Sequence, residues 1–128
     1  MNDFDITTVE NSVTAAVRAL NVSSHVWNNR PKACDDSIDD FVVVEVTGGI
    51  TDKAGFGQTR LAVHLFARDV MEMKNSKRLS VMQKALEGLP LWIDKCLLDG
   101  HPRIVGDAPD DFGFHARIIT YRLYIKAV

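Results

Sequence analysis

Residues 41–46 read Phe41-Val42-Val43-Val44-Glu45-Val46, and residues 58–68 read Gln58-Thr59-Arg60-Leu61-Ala62-Val63-His64-Leu65-Phe66-Ala67-Arg68. The first is a β-branched run bounded by further apolar residues, which is strand composition. The second alternates. Leu61, Val63, Leu65 and Ala67 fall on one side, and Arg60, Ala62, His64, Phe66 and Arg68 on the other, because successive strand side chains point to opposite faces. Between the two runs lie Gly48, Gly49, Asp52, Lys53, Gly55, Phe56 and Gly57, read here as a long, flexible turn region. Strand, glycine-rich loop, strand predicts an antiparallel hairpin with an extended tip.

Helices flank this hairpin. Val9, Val13, Ala16, Val17 and Leu20 recur at helical spacing over residues 7–20, with Thr7 and Glu10 as a capping box and Asn21 as a stop. Leu79, Met82, Leu86 and Leu89 mark a second helix over about residues 77–87, capped by Asn75 or Ser76 and ended by Gly88 and Pro90; a start near Asp69 stays open. Residues 21–40 read as an extended surface connection, broken by Pro31 and ending in the acidic run Asp35-Asp36-Ser37-Ile38-Asp39-Asp40. Residues 91–100 fit a short helix or an edge strand, Arg103-Ile104-Val105 a short strand, and residues 107–113 a polar turn. The last strand covers residues 115–126, with Ile119, Tyr121, Leu123 and Ile125 on one face and Ile118, Thr120, Arg122, Tyr124 and Lys126 on the other. The expected fold is α+β and two-layered: an antiparallel sheet of about four strands, two helices on one face, order α-β-β-α-β-β, in a single domain over residues 1–128.

Composition limits the function. The chain has 128 residues, 46% hydrophobic and 25% charged, which is the balance of one globular domain. The longest apolar run is four residues, far short of the roughly 20 of a membrane span, and the first residues lack the pattern of a signal peptide. Net charge is −2, with 3 basic and 7 acidic side chains in residues 1–40. No basic field for nucleic-acid sequence recognition is evident. Cys34 and Cys96 form no CxxC pair and read as free thiols. Cys34 sits beside Asp35 and Asp36, which favour the neutral thiol over a nucleophile. The acidic run lacks the ligand spacing of a calcium loop. His25, His64, His101 and His115 make no metal spacing, and Gly55-Phe56-Gly57 is no dinucleotide fingerprint. Trp27 and Trp92 read as packing residues. No catalytic, cofactor or metal residues are assigned, and a non-enzyme is expected.

One surface stands out. Arg60, His64, Phe66, Arg68, Arg122, Tyr124 and Lys126 mix cations and aromatics on the outward sheet face, the residue types enriched at protein interfaces. This face is the candidate subunit interface, with the acidic run as its expected partner on a neighbouring copy. The loop of Gly48, Gly49, Asp52, Lys53, Gly55, Phe56 and Gly57 is the candidate assembly loop.

The order of elements resembles the tail-completion proteins of long-tailed bacteriophages, also called tail terminators or neck proteins. Trp27-Asn28-Asn29-Arg30-Pro31 leading into Phe41-Val42-Val43-Val44-Glu45-Val46, then Leu61-Ala62-Val63-His64-Leu65-Phe66-Ala67-Arg68, then the helix Leu79-Ser80-Val81-Met82-Gln83-Lys84-Ala85-Leu86, and the closing strand carry the resemblance, over about residues 5–127. It departs from the pattern in the acidic insertion at residues 35–40 and the long segment 92–113. The resemblance implies a structural, non-enzymatic role without a cofactor. It implies self-association into a ring, commonly six-fold, that meets the tail tube and the head connector. It also implies residence in the virion after assembly in the host cytoplasm. Another head-closure or minor structural module, and a small cytoplasmic enzyme, are the readings the residues leave open.

Overall fold

The computed structural model describes residues 5–29, 36–53, 56–110 and 112–126; side chains are described for these except residues 48–53 and 56. Helix α1 spans Ile6–Ala19 and α2 spans Ser76–Leu86; the strands are β1 (Val26–Trp27), β2 (Asp40–Lys53), β3 (Phe56–Arg68), β4 (Trp92–Ile93), β5 (Cys96–Leu98), β6 (Arg103–Pro109) and β7 (Phe114–Lys126). They form a seven-stranded sheet in the order β1-β2-β3-β7-β5-β4, with β6 also paired to β7. The fold is α+β, as expected, but the sheet exceeds four strands and the element order is longer. It is also mixed: β1 runs parallel to β2, pairing Val26 with Val42 and Trp27 with Val43.

The strands that sequence patterning misses are short or low in apolar content. Residues 91–100 are neither helix nor one edge strand but the small hairpin β4–β5, turning at Asp94 with φ 52°. The expected turn at 107–113 is strand as far as Pro109. β6 makes a register shift between Ile104 and Gly106, and Gly106 takes φ +113°, which favours glycine. A tight turn joins β3 towards α2: Val70 bridges Met73 while Met71 and Glu72 take φ 53° and 64°.

The two helices do share one face. Val9, Val13 and Val17 of α1 and Leu79, Met82 and Leu86 of α2 pack with Val42, Val44, Val46, Leu61, Val63, Leu65, Ile119, Leu123 and Ile125 in one core, as the two periodicities predict. Leu20 is only partly buried against it. Asn75 caps α2 as expected, accepting from the Arg78 amide at 3.1 Å. Asn21 ends α1 with φ 55°. Asp5, not Thr7, caps α1, accepting from the Thr7 amide and the Thr8 hydroxyl.

Glu10 has a different task from the one its spacing suggested. Its Oε2 accepts from the Val46 amide at 2.9 Å, where β2 runs on past the end of β1. A carboxylate here satisfies a donor on an otherwise open strand edge. Glu10→Ala should cost about 1.5–3 kcal/mol, the range for a hydrogen bond to a charged group. Glu10→Gln should recover most of that in urea denaturation. Equal losses for both variants would show that the bond is not what matters.

Candidate assembly surface

Register defines the outer face row by row. Phe41, Phe66 and Ala116 stand opposite one another, then Val43, His64 and Ile118, then Glu45, Ala62 and Thr120, then Thr47, Arg60 and Arg122. Gln58 faces Tyr124, and Phe56 faces Lys126. The predicted residues Arg60, His64, Phe66, Arg68, Arg122, Tyr124 and Lys126 therefore do share one face. They do not share one environment.

The Phe66 end is closed. Phe41, Val43, Phe66, Phe114 and Ala116 form a second apolar cluster, with Trp27 and Ile38 packed on it. Phe41 stacks on Phe66 with centroids 4.4 Å apart and meets Phe114 edge-on at 5.2 Å. Phe66 is only 5% exposed. The expectation of an exposed aromatic anchor is corrected: the chain entering β2 folds Ile38 over this end of the sheet. Arg68 is drawn into the same closure. Its Nε and a terminal nitrogen donate to the Ile38 carbonyl at 3.2 and 2.8 Å, and its guanidinium lies 4.5 Å from the Phe114 centroid. Asp39 lies 3.7 Å away, a surface pair of small value.

The acidic run is also partly used within its own subunit. Asp40 accepts from Arg78 Nε at 2.9 Å and from the Ser23 hydroxyl, tying β2 to α2 and to the turn before β1. It is therefore not a free partner for another copy. Asp36 and Asp39 are exposed; Cys34, Asp35 and the Arg30-Pro31 pair lie outside the described residues.

The candidate loop is mostly strand, another correction. β2 continues to Lys53 and β3 resumes at Phe56, with Thr51 opposite Gln58, Asp52 opposite Gly57 and Lys53 opposite Phe56. Gly48 and Gly49 lie where the register shifts: from Thr47 to Thr51 β2 advances four residues while β3 moves two, from Arg60 to Gln58. Glycines thus accommodate a bulge rather than a loose tip. Gly55 lies outside the described residues.

The Arg60–Arg122 end is open. Arg60, Arg122 and Lys126 are exposed, and Tyr124 is half-buried. Arg103 pairs with Thr120 and joins this end from β6, and His101 precedes it. Neither stands out as a site residue in the sequence, because only the β6–β7 register brings them here.

His64 Nε2 lies 3.4 Å from Glu45, and His115 Nδ1 lies 2.7 Å from Asp69. Among the described residues no group of three metal-ligating side chains gathers. Burial, aided by Asp94, holds the Cys96 thiol above its usual range, away from thiolate chemistry. A hollow of about 300 Å³ between α2, β5 and β6 includes Leu86, Leu98, Ile104 and Tyr121. Burial and the nearby Glu87 push the Tyr121 phenol up to about 12, so it stays neutral. Trp92, expected to pack, is 56% exposed at the sheet edge. No helix of the described residues is long and apolar enough to cross a membrane.

No family model matches the chain, and no curated protein matches it. Solved structures do. A chain from the virion of a native gene transfer agent (GTA) particle superposes with TM-score 0.64 over 98% of this chain and 100% of that one, at 11% identity. A second solved chain superposes with TM-score 0.57 over 95% of this chain and 93% of its own length, at 10% identity. At such identities the likeness is one of fold: this chain is built as a subunit found in a phage-like particle is built.

Proposed function

We propose that the chain is a structural subunit of a phage-like virion that works by self-association and catalyses nothing. The observation that carries this reading is the likeness to a chain of the gene transfer agent virion, which spans 98% of this chain and all of that one. Within that role we assign it to tail completion: a ring, six-fold in the family it resembles, seated between tail tube and head connector. It would assemble in the host cytoplasm and remain in the virion, with no cofactor.

A ring needs a heterologous contact, one patch meeting a different patch on the next copy. Closure of the Phe66 end removes that part of the sheet face from the interface. The exposed remainder and the β2–β3 arm beyond Thr47 are the surfaces left for it. Edge strands readily accept a neighbouring chain, and β2 past Thr47 lies beyond its parallel partner β1.

Native mass spectrometry tests this. The intact protein should give a closed oligomer of one size. Replacing residues 51–57 by a two-residue turn should give a folded monomer. A protein that stays monomeric at every concentration would end the ring reading. A shortened variant that forms the same ring would remove the arm from the interface.

A further inference from the structure

The arginines among the described residues divide into two groups. Arg18 donates to the Val26 carbonyl, Arg68 to the Ile38 carbonyl, Arg78 to Asp40 and Arg117 to Asp107. Each pins one element to another. Arg60, Arg103 and Arg122 do none of this: among the described residues none has a carboxylate within salt-bridge distance or a hydrogen-bond acceptor for its guanidinium. These three lie together. Arg60 and Arg122 are directly opposite across β3 and β7, and Arg103 is opposite Thr120, two residues before Arg122 on β7. They border a surface hollow of about 490 Å³, with His101 on its rim.

Like charges directly opposite on a sheet repel. The arrangement therefore weakens the isolated fold slightly, and an anion seated between the guanidinium groups would relieve it. Among the described residues no carboxylate lies within salt-bridge distance of these three guanidinium groups. Asp99 borders the hollow, but its Oδ1 accepts from the His101 amide at 2.9 Å. Asp40, from the acidic run, is held by Arg78 and Ser23.

We propose that Arg60, Arg103 and Arg122 form a sequence-independent site for the phosphodiester backbone of nucleic acid. The hollow's lining decides between this and an acidic protein segment. A protein partner takes most of its affinity from a buried aromatic or aliphatic anchor. The aromatic cluster of this face is sealed at its other end, around Phe41. The hydroxyls of Thr47 and Thr120 donate to backbone carbonyls at 3.4 Å, so neither adds a base-reading donor beside the arginines. What is left is guanidinium charge, which suffices for backbone contact, the part of recognition that carries no sequence information. The net charge of −2 hides it because most of the acids lie elsewhere; Asp99 borders the hollow and Glu45 stands one row from Arg60 on the same face. The site is complete in one subunit and does not rest on ring formation.

The test is fluorescence anisotropy with a labelled duplex of about 20 base pairs at low salt, where counterion release favours binding. Native protein should bind duplexes of unrelated sequence alike, with a log–log salt slope of about −2.7 for three phosphates. The Arg60→Gln, Arg122→Gln double variant should bind at least about tenfold more weakly, the scale of two lost counterion terms. Its melting temperature should be no lower, which guards against misfolding. Lys77→Gln with Lys84→Gln, on the exposed side of α2, should bind as the parent does. No binding at low salt, equal loss in the α2 variant, or preference for oligo-glutamate over the duplex would each overturn the proposal.

Discussion

Phe41→Ala is expected to lower stability by about 3–5 kcal/mol, the range for a large aromatic removed from a core. Phe41 has no exposed surface, yet it points away from both helices. It is the hub of the outer cluster: Phe66 stacks on it, Phe114 meets its edge, and Trp27 lies 5.3 Å from it, centroid to centroid. Removing the ring leaves a cavity that three rigid aromatics cannot fill by small shifts. Aromatic pairs add about 0.5–1.5 kcal/mol beyond burial, so the loss should sit high in the range. Phe41→Leu should recover part of it. Chemical denaturation followed by tryptophan fluorescence reads both, since Trp27 borders the cavity. A loss under about 0.5 kcal/mol, typical of surface sites, would mean that this end of the sheet is open. Phe66→Ala in turn should unfold the subunit rather than merely weaken an interface.

The helix-facing core was legible because α1, α2 and the three long strands each follow a single period. A period of two assigns β2 as far as Thr47, β3 from Gln58 and β7 to faces, and the register there agrees with that assignment row by row. What the pattern could not say is whether a face is covered. Phe66 and Arg60 have the same parity on β3, yet one is buried and one exposed. The difference comes from Ile38, Trp27 and Phe114, which arrive from other elements. β4 and β5 were ambiguous because two or three residues carry no readable period. Glu10 fitted a capping box by spacing, and a bond to a strand 36 residues away took it instead. Arg103 entered the candidate site through a hairpin register, which turn geometry fixes rather than composition.

Arg117→Met should cost about 1.5–3 kcal/mol, because it removes two charge-assisted hydrogen bonds from the half-buried Asp107 carboxylate and leaves Lys74 as its one cationic partner. Arg117 and Asp107 are paired across β7 and β6 on the helix-facing side, with side chains 14% and 10% exposed. The guanidinium grips both carboxylate oxygens, at 2.7 and 3.0 Å, and its remaining nitrogen donates to Ser80 and Gln83 on α2. Lys74 lies 3.1 Å from the same carboxylate. The hydrogen bonds from Arg117, with help from Lys74, hold the Asp107 carboxyl at about 2. An unfolded aspartate titrates near about 3.9, so the folded state binds fewer protons between those values. Stability from this group is therefore complete above about pH 4 and is lost as pH falls towards 2, by about 2 kcal/mol in all. In Arg117→Met that acid dependence should shrink, because Lys74 alone then holds the carboxylate ionised. The double variant Asp107→Leu, Arg117→Met should be clearly more stable than Arg117→Met alone, since a well-packed apolar pair can replace a buried ion pair at little cost. Denaturation midpoints for the three proteins at pH 7 and pH 3 decide it. A single variant as stable as the parent, with the same acid profile, would show that water reaches Asp107 and that the network contributes little.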